Sequence, residues 1–193
     1  MRYFVTILAV IFIVVVIIVL IAKGGGNGRP ITYPNLTNYS NSGSSVSQIV
    51  TGILTGEEQR QSFEITITQS SRSINIFSGY ELTVANTESF SNTPAAYNVF
   101  LQGLQNAGFS KSRTTNQTNI FAVCPLGDTF QYILNSPNKT VSNLWSTSCK
   151  LSDGNFNGQG QLIRTLFQLQ IPNFRVFTQN LPNIPNSYTT LSL

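Results

Sequence analysis

Twenty consecutive residues near the start of the chain, Tyr3 to Ala22, contain a single polar side chain, Thr6. At about 1.5 Å of rise per helical residue, such a run covers about 30 Å, the hydrocarbon thickness of a bilayer. A buried core helix would show a polar stripe toward solvent, and this run has none. Its β-branched residues (Val14, Val15, Val16, Ile17, Ile18) are acceptable in lipid, where a helix satisfies its own backbone hydrogen bonds. A cleavable signal peptide has a shorter apolar region, about 7–15 residues, with small residues at the cleavage site. Here Leu20 occupies the outer of those positions, ahead of Ala22. Residues 1–23 are therefore expected to be an uncleaved, single-pass signal anchor in the cell membrane. No cysteine lies near position 20, which excludes a lipoprotein.

Basic residues do not orient this anchor. Arg2 and the terminal amine lie on one side, Lys23 and Arg29 on the other, so the positive-inside count is nearly a tie. The chain beyond the anchor is rich in Asn, Ser and Thr, poor in Lys and Glu, and carries an even pair of cysteines, all suited to an oxidising compartment. The expected arrangement is N-terminus inside and C-terminal domain extracytoplasmic.

Gly24 to Ser45 shows neither helical nor strand periodicity, and its glycines and prolines stop the anchor helix. Residues 24–45 are expected to form a flexible tether with a reach of roughly 25 Å. The domain then occupies 46–193. Val46, Ile49, Val50, Ile53 and Leu54 fall at helical spacing, which predicts a short amphipathic helix ended by Gly56. Phe63, Ile65 and Ile67 alternate with polar residues, and Ile74 and Ile76 repeat the alternation after a polar turn, which predicts a hairpin with one buried face. Leu82 and Val84 continue it as a third strand.

Thr93-Pro94 supplies an N-cap and a first-turn proline for a helix whose apolar stripe is Tyr97, Phe100, Leu101, Leu104 and Ala107, with Gly108 as the stop. Three more strands are predicted at Asn119–Cys124, Thr129–Leu134 and Thr140–Thr147, joined by short polar turns as an antiparallel meander. A last helix, from about Gly160 to Gln170, carries Leu162, Ile163, Leu166, Phe167 and Leu169 and is ended by Pro172. The tail beyond it, with Pro182 and Pro185, is expected to be extended. The fold class that emerges is α+β: an antiparallel sheet of about six strands with about three helices, preceded by one transmembrane helix.

In that meander Cys124 and Cys149 arrive at the same end of the sheet, so a disulfide between them is expected. Closing a loop of about 25 residues stabilises the fold by about 3.5 kcal/mol on the chain-entropy estimate.

The sequence has no histidine, which removes every mechanism that needs an imidazole as base, shuttle or metal ligand. Neither a P-loop, G-x-S-x-G nor H-E-x-x-H is present. Gly24-Gly25-Gly26 follows the apolar run and not a strand, so it is no phosphate cradle. Asp153-Gly154-Asn155-Phe156-Asn157-Gly158 fits the opening of a calcium loop, but the twelfth position is Arg164 where a bidentate glutamate is needed. The expectation there is an Asn/Gly turn into the last helix, with no metal, no cofactor and no catalytic residue assigned. The four N-x-S/T sites, at Asn35, Asn38, Asn116 and Asn138, are about what an Asn-rich chain yields by chance. Lys111 and Arg113 are the densest basic pair of a chain with net charge +4, and no continuous basic stripe exists for nucleic acid. Tyr80, Tyr132 and Trp145 are candidates to line a ligand groove if their rings point outward.

An anchored α+β domain invites comparison with type IV pilins, but the apolar run lacks an early glutamate and the glycines break the continuous helix. The phrases SINIFSGYELTV, AAYNVFLQGLQNAGF, CPLGDTFQYIL, LWSTSC and LIRTLFQLQIPNF, between Ser73 and Phe174, succeed one another in an order that resembles uncharacterised membrane-anchored extracytoplasmic proteins of epibiotic bacteria with reduced genomes. That resemblance implies a cell-surface role and transfers no catalytic residue.

The expected function is a non-enzymatic extracytoplasmic binding or interaction protein. Its partners would be the bilayer, through the N-terminal helix, and a protein or cell-surface glycan. Two alternatives stand beside it. One is an accessory subunit of a surface or secretion assembly. The other is a cell-wall glycan hydrolase using a pair among Glu57, Glu58, Glu64, Glu81, Glu88, Asp128 and Asp153.

Overall fold

Alternation of apolar and polar residues at a period of two builds the centre of the domain, a six-stranded antiparallel sheet. Its strands are β1 (Ser45–Thr51), β2 (Gln61–Thr68), β3 (Ser71–Ser78), β4 (Thr83–Ser91), β5 (Thr129–Ser136) and β6 (Lys139–Thr147), in the order β4-β3-β2-β1-β5-β6. Three helices complete the α+β fold: α1 (Pro94–Asn106), α2 (Gly160–Gln168) and the short α3 (Phe174–Thr178). The computed structural model describes residues 33–41, 43–117, 119–120, 123–149, 154–179 and 181. The apolar run Tyr3–Ala22, residues 24–32, Asp153 and the tail from residue 182 lie outside the described residues. Among the described residues, no helix is long and apolar enough to cross a membrane.

The expected helix over residues 46–54 is replaced by β1, a central strand of the sheet. Val46, Gln48 and Val50 share one face, and all three are buried. Gln48 interrupts the apolar alternation that marks a strand, while Val46, Ile49 and Val50 imitate helical spacing. Residues rich in Val, Ile and Thr favour the pleat, and pairing on both sides by β2 and β5 decides the outcome. The strand expected at Asn119–Cys124 is absent from the described part of that segment, which runs through turn and bend into Pro125-Leu126-Gly127. The strand count agrees because β1 takes its place, and the helix count agrees because α3 replaces the helix expected before Gly56.

The inner face of the sheet carries Phe63, Ile65, Ile67, Ile74, Phe130, Tyr132 and Leu134, packed against Tyr97, Phe100, Leu101 and Leu104 of α1 and Ile163 and Phe167 of α2. Edge-to-face ring pairs join these layers, Phe100 with Phe167 at 5.2 Å and Phe63 with Phe174 at 5.5 Å. The outer face is held by polar cross-strand contacts, such as Ser47 Oγ with Thr66 Oγ1 at 2.8 Å and the Thr87 hydroxyl donating to Asn75 Oδ1 at 2.9 Å. Thr93 caps α1 as its sequence predicts, its Oγ1 accepting from the Ala96 amide at 3.2 Å with Pro94 just inside the helix.

Residues 33–41, 43 and 44 pack on the domain instead of behaving as a tether. Leu36, in a 3₁₀ turn at Leu36–Tyr39, is fully buried, and its amide donates to Gln105 Oε1 of α1 at 2.8 Å. The Tyr33 hydroxyl donates to the Ser112 carbonyl at 3.1 Å, and the Ser44 carbonyl accepts from the Tyr97 hydroxyl at 3.2 Å. Burying Leu36 is worth about 1.5–3 kcal/mol, enough to offset the ordering of a few polar residues around it. A lone leucine among Asn, Ser and Gly has no periodicity, so nothing in the local sequence signals this docking.

Cys124 and Cys149 form a disulfide with Cα atoms 5.7 Å apart. The β5–β6 register explains the pairing without a strand before Cys124. Thr129 lies opposite Thr147, so the segments immediately before β5 and after β6 meet at one end of the sheet.

Candidate functional site

At that same end of the sheet, the start of β5, the end of β6 and the start of α2 surround a cleft of about 510 Å³. Its lining includes Arg113, Asp128, Phe130, Thr147, Gly160 and Arg164. Short residues at Ser146, Thr147 and Ser148 leave the space open on the β6 side, and Gly158 and Gly160 leave it open on the α2 side. The disulfide and the Ser148 hydroxyl, which accepts from the Asp128 amide at 2.8 Å, fix the rim.

Two guanidinium groups and one carboxylate supply the charge of the described lining. Arg164 sits over the Phe130 ring, its Cζ 4.4 Å from the ring centroid, a cation–π contact that holds the guanidinium beside the cleft. Arg113 donates from Nε to the Gly154 carbonyl at 2.9 Å, which ties it to the loop leading into α2. The helix itself starts at Gly160 with no side chain capping its first amides. The cleft thus meets the positive end of a helix dipole.

Tyr132 lies beside Arg164, beneath the residues that line the cleft. It is fully buried, with its ring 4.4 Å from that of Phe156 and 6.1 Å from that of Phe109. Burial pushes its phenol pKa up, partly offset by the charge of Arg164 and by the nearby Ser146 and Arg164 side chains. A Cβ placed on Gly160 would stand 3.2 Å from Arg164 Nη1 and 3.3 Å from Tyr132 Oη. Glycine at this position therefore lets the guanidinium and the phenol approach the start of the helix.

The three aromatics singled out from the sequence do not come together. Tyr80 is half exposed in the β3–β4 turn, stacked on Arg60 with 4.2 Å from Cζ to its ring centroid, and its hydroxyl donates to the Thr55 carbonyl at 2.9 Å. Tyr132 is on the inner face, opposite Leu144 and Gln48. Trp145 succeeds Leu144 in β6, so the pleat turns it to the outer face, where it is buried.

The calcium-loop pattern is used for structure in its described part. The Asn155 side chain accepts from the Trp145 amide at 2.7 Å, so its oxygen is committed to the edge of β6. Among the described residues no three acidic or cysteine side chains gather to hold a metal ion. Glu57 Oε1 accepts from the Tyr80 amide at 3.0 Å, Glu64 and Glu88 lie on separate strands, and Asp128 is the single described carboxylate lining the cleft.

In the sequence, Arg113 is visible only as half of a basic pair, Arg164 only as a misfit in the calcium pattern, and Asp128 only as a turn residue. Their convergence comes from the register of β5 with β6 and the bridge between Ser112 and Phe156, neither of which has a local signature. The one signal within reach is an uncapped helix start between two glycines. No family model, no curated protein and no solved structure matches this chain.

Proposed function

We propose that the chain is a single-pass membrane protein that presents an α+β binding domain outside the cytoplasm, with the cleft at the start of α2 as its ligand site. The observation that carries this reading is the cleft itself, a polar recess of ligand size held open by glycines and braced by a disulfide. The apolar run Tyr3–Ala22 supports the anchor, and the Cys124–Cys149 bond suits an oxidising compartment. Arg164, in the lining of the cleft, favours an acidic partner, a protein or a surface glycan bearing acidic groups.

Protease added to intact cells tests the placement. Digestion of the domain to a small membrane-bound remnant is the expected result. A domain that survives until the membrane is permeabilised overturns the reading. Maleimide labelling of unreduced protein gives an independent check, with neither cysteine modified before reduction.

A further inference from the structure

We propose that the side of the helical layer facing away from the sheet lies on a lipid bilayer and seats its apolar side chains among anionic headgroups. The inference rests on the reading of Tyr3–Ala22 as a membrane anchor and names the face of the domain that meets the membrane.

Apolar side chains stand where the helices turn away from the sheet. In α2, Ile163 and Phe167 are buried, and at about 100° per residue Leu162 and Leu169 fall on the opposite side, 44% and 72% exposed. With half-buried Leu166 they form a stripe along the helix. In α1, Tyr97, Phe100, Leu101 and Leu104 are buried, and Val99 projects outward, 66% exposed. A Cβ on Gly103 would meet Leu166 Cδ1 at 3.7 Å, so the two helices lie side by side and their outward faces adjoin. In α3, Phe174 packs on Phe63 while Val176, two residues on, is 59% exposed. The polar residues between them on the outward faces, such as Gln102, Asn106 and Thr165, are uncharged. Separate apolar side chains with amides and a hydroxyl between them suit a headgroup layer, which moulds itself around each one.

Charge separates the two sides of the domain. From Asn92 to Gly127 and from Gly154 to Leu181, stretches that contain all of α1, α2 and α3, the sequence has no Asp or Glu. Glu57, Glu58, Glu64, Glu81 and Glu88 belong instead to β2, β4 and the loops beside them. Lys111, just beyond α1, and Arg175, within α3, are exposed. An anionic headgroup therefore meets cations on the helical side and carboxylates on the side of β2 and β4.

The path of the chain selects the bilayer as the occupant. The first described residues run along α1, with the Tyr33 hydroxyl donating to the Ser112 carbonyl and the Leu36 amide to Gln105 Oε1. Ten residues, Lys23 to Thr32, separate the apolar run from Tyr33. Fully extended, they reach about 35 Å. The chain thus joins the domain on its helical side, within that distance of the membrane.

The test uses the full chain reconstituted in vesicles of phosphatidylcholine, with or without about one quarter phosphatidylglycerol, in which part of the lipid is brominated near the headgroup end of its acyl chains. Leu169→Trp reports on the α2 face, and Thr87→Trp reports on the opposite, outer face of the sheet. Trp145 is common to both and is subtracted with the wild type. Bromolipid should quench Leu169→Trp about twofold more than Thr87→Trp, with a larger difference in phosphatidylglycerol and a smaller one at high salt. Adding Leu162→Asp to Leu169→Trp should abolish the excess while leaving the circular dichroism unchanged, because Leu162 is outside the core. Equal quenching of the two reporters in both lipids overturns the proposal. Blue-shifted but unquenched Leu169→Trp emission gives the face to a protein partner, a second copy included, and also overturns it. Alkaline carbonate extraction of the vesicles separates this inference from the reading beneath it. A chain retained with Leu169→Trp unquenched keeps its anchor and loses this orientation, whereas a chain released by carbonate overturns both.

Discussion

Asn155 completes the free edge of the sheet through Trp145. Its Oδ1 accepts from the Trp145 amide at 2.7 Å, and the Trp145 carbonyl in turn accepts from the Phe156 amide at 3.0 Å. A side chain and a neighbouring amide thus do for β6 what a seventh strand would do. At the other edge β4 is exposed along nearly its whole length and is interrupted by a bulge where Ile76 and Phe77 pair with Asn86 and Val84.

Asn155→Ala leaves a sequestered amide without an acceptor and should cost about 1–2 kcal/mol in urea unfolding. Asn155→Asp keeps the acceptor and gives up only the long 3.5 Å contact to the Asn143 carbonyl, so it should cost less than half as much. Calcium at millimolar concentration should leave the wild-type midpoint unmoved, since the oxygen that the calcium pattern would contribute is already bonded. An equal cost for both variants would show that Asn155 acts by packing and not by accepting a hydrogen bond.

Removing the disulfide tests the closure of the cleft rim. The double variant Cys124→Ser, Cys149→Ser opens a loop with a sequence separation of 25 residues and should lose about 3.5 kcal/mol, most of it through the freed unfolded chain. Because Ser148 Oγ still accepts from the Asp128 amide, the folded fraction should keep its β5–β6 pairing. The measurement is urea unfolding of oxidised protein, reduced protein and double variant. Reduced wild type and double variant should coincide.

Local signals carry much of this fold. Thr93-Pro94, the stripe from Tyr97 to Leu104, and the alternations at Phe63–Ile67 and Ile74–Ile76 each report their own element, because burial on one face imposes a period that the chain displays. Gln48 conceals β1, since a polar residue on the inner face erases the period of two just where tertiary pairing matters most. α3 escapes notice because Asn173, with φ 54°, turns the chain directly after Pro172 and restarts a helix too short to show periodicity. The cleft is less legible still. Arg113, Thr147 and Arg164 are far apart in sequence, and only the sheet register and the docking of α2 bring them together.

Gln48 itself offers a stability gain. It is 1% exposed on the inner face of β1, opposite Ile65 on one side and Tyr132 on the other, and its Nε2 has no partner among the described residues. Gln48→Leu removes that unpaired donor at little change in volume and should raise stability by about 1 kcal/mol. Gln48→Ala removes the donor but leaves a void between Tyr132 and Ile65, so it should be destabilising by about 1–2 kcal/mol. Thermal unfolding of the two variants should therefore move in opposite directions. A leucine variant less stable than wild type would mean that the amide serves an interaction worth more than its burial costs.

Stability should also fall at alkaline pH through Tyr97. Burial pushes its phenol up to about 12 from the ordinary value of 10, and the protonated hydroxyl donates to the Ser44 carbonyl at 3.2 Å. Below pH 10 the phenol keeps its proton in both folded and unfolded chains, and the stabilisation is fully present. Between pH 10 and about 12 the unfolded chain releases that proton while the native chain retains it, so stability declines as pH rises. Tyr97→Phe should cost about 1 kcal/mol near neutrality, from the lost donor to Ser44. The same variant should unfold along a flatter profile above pH 10, so the gap to wild type narrows there. Tyr132, raised by burial as well, leaves some slope in both proteins. Urea midpoints measured at intervals from pH 8 to 12 check this, and a gap that stays constant across that range would remove Tyr97 as the source of the alkaline loss.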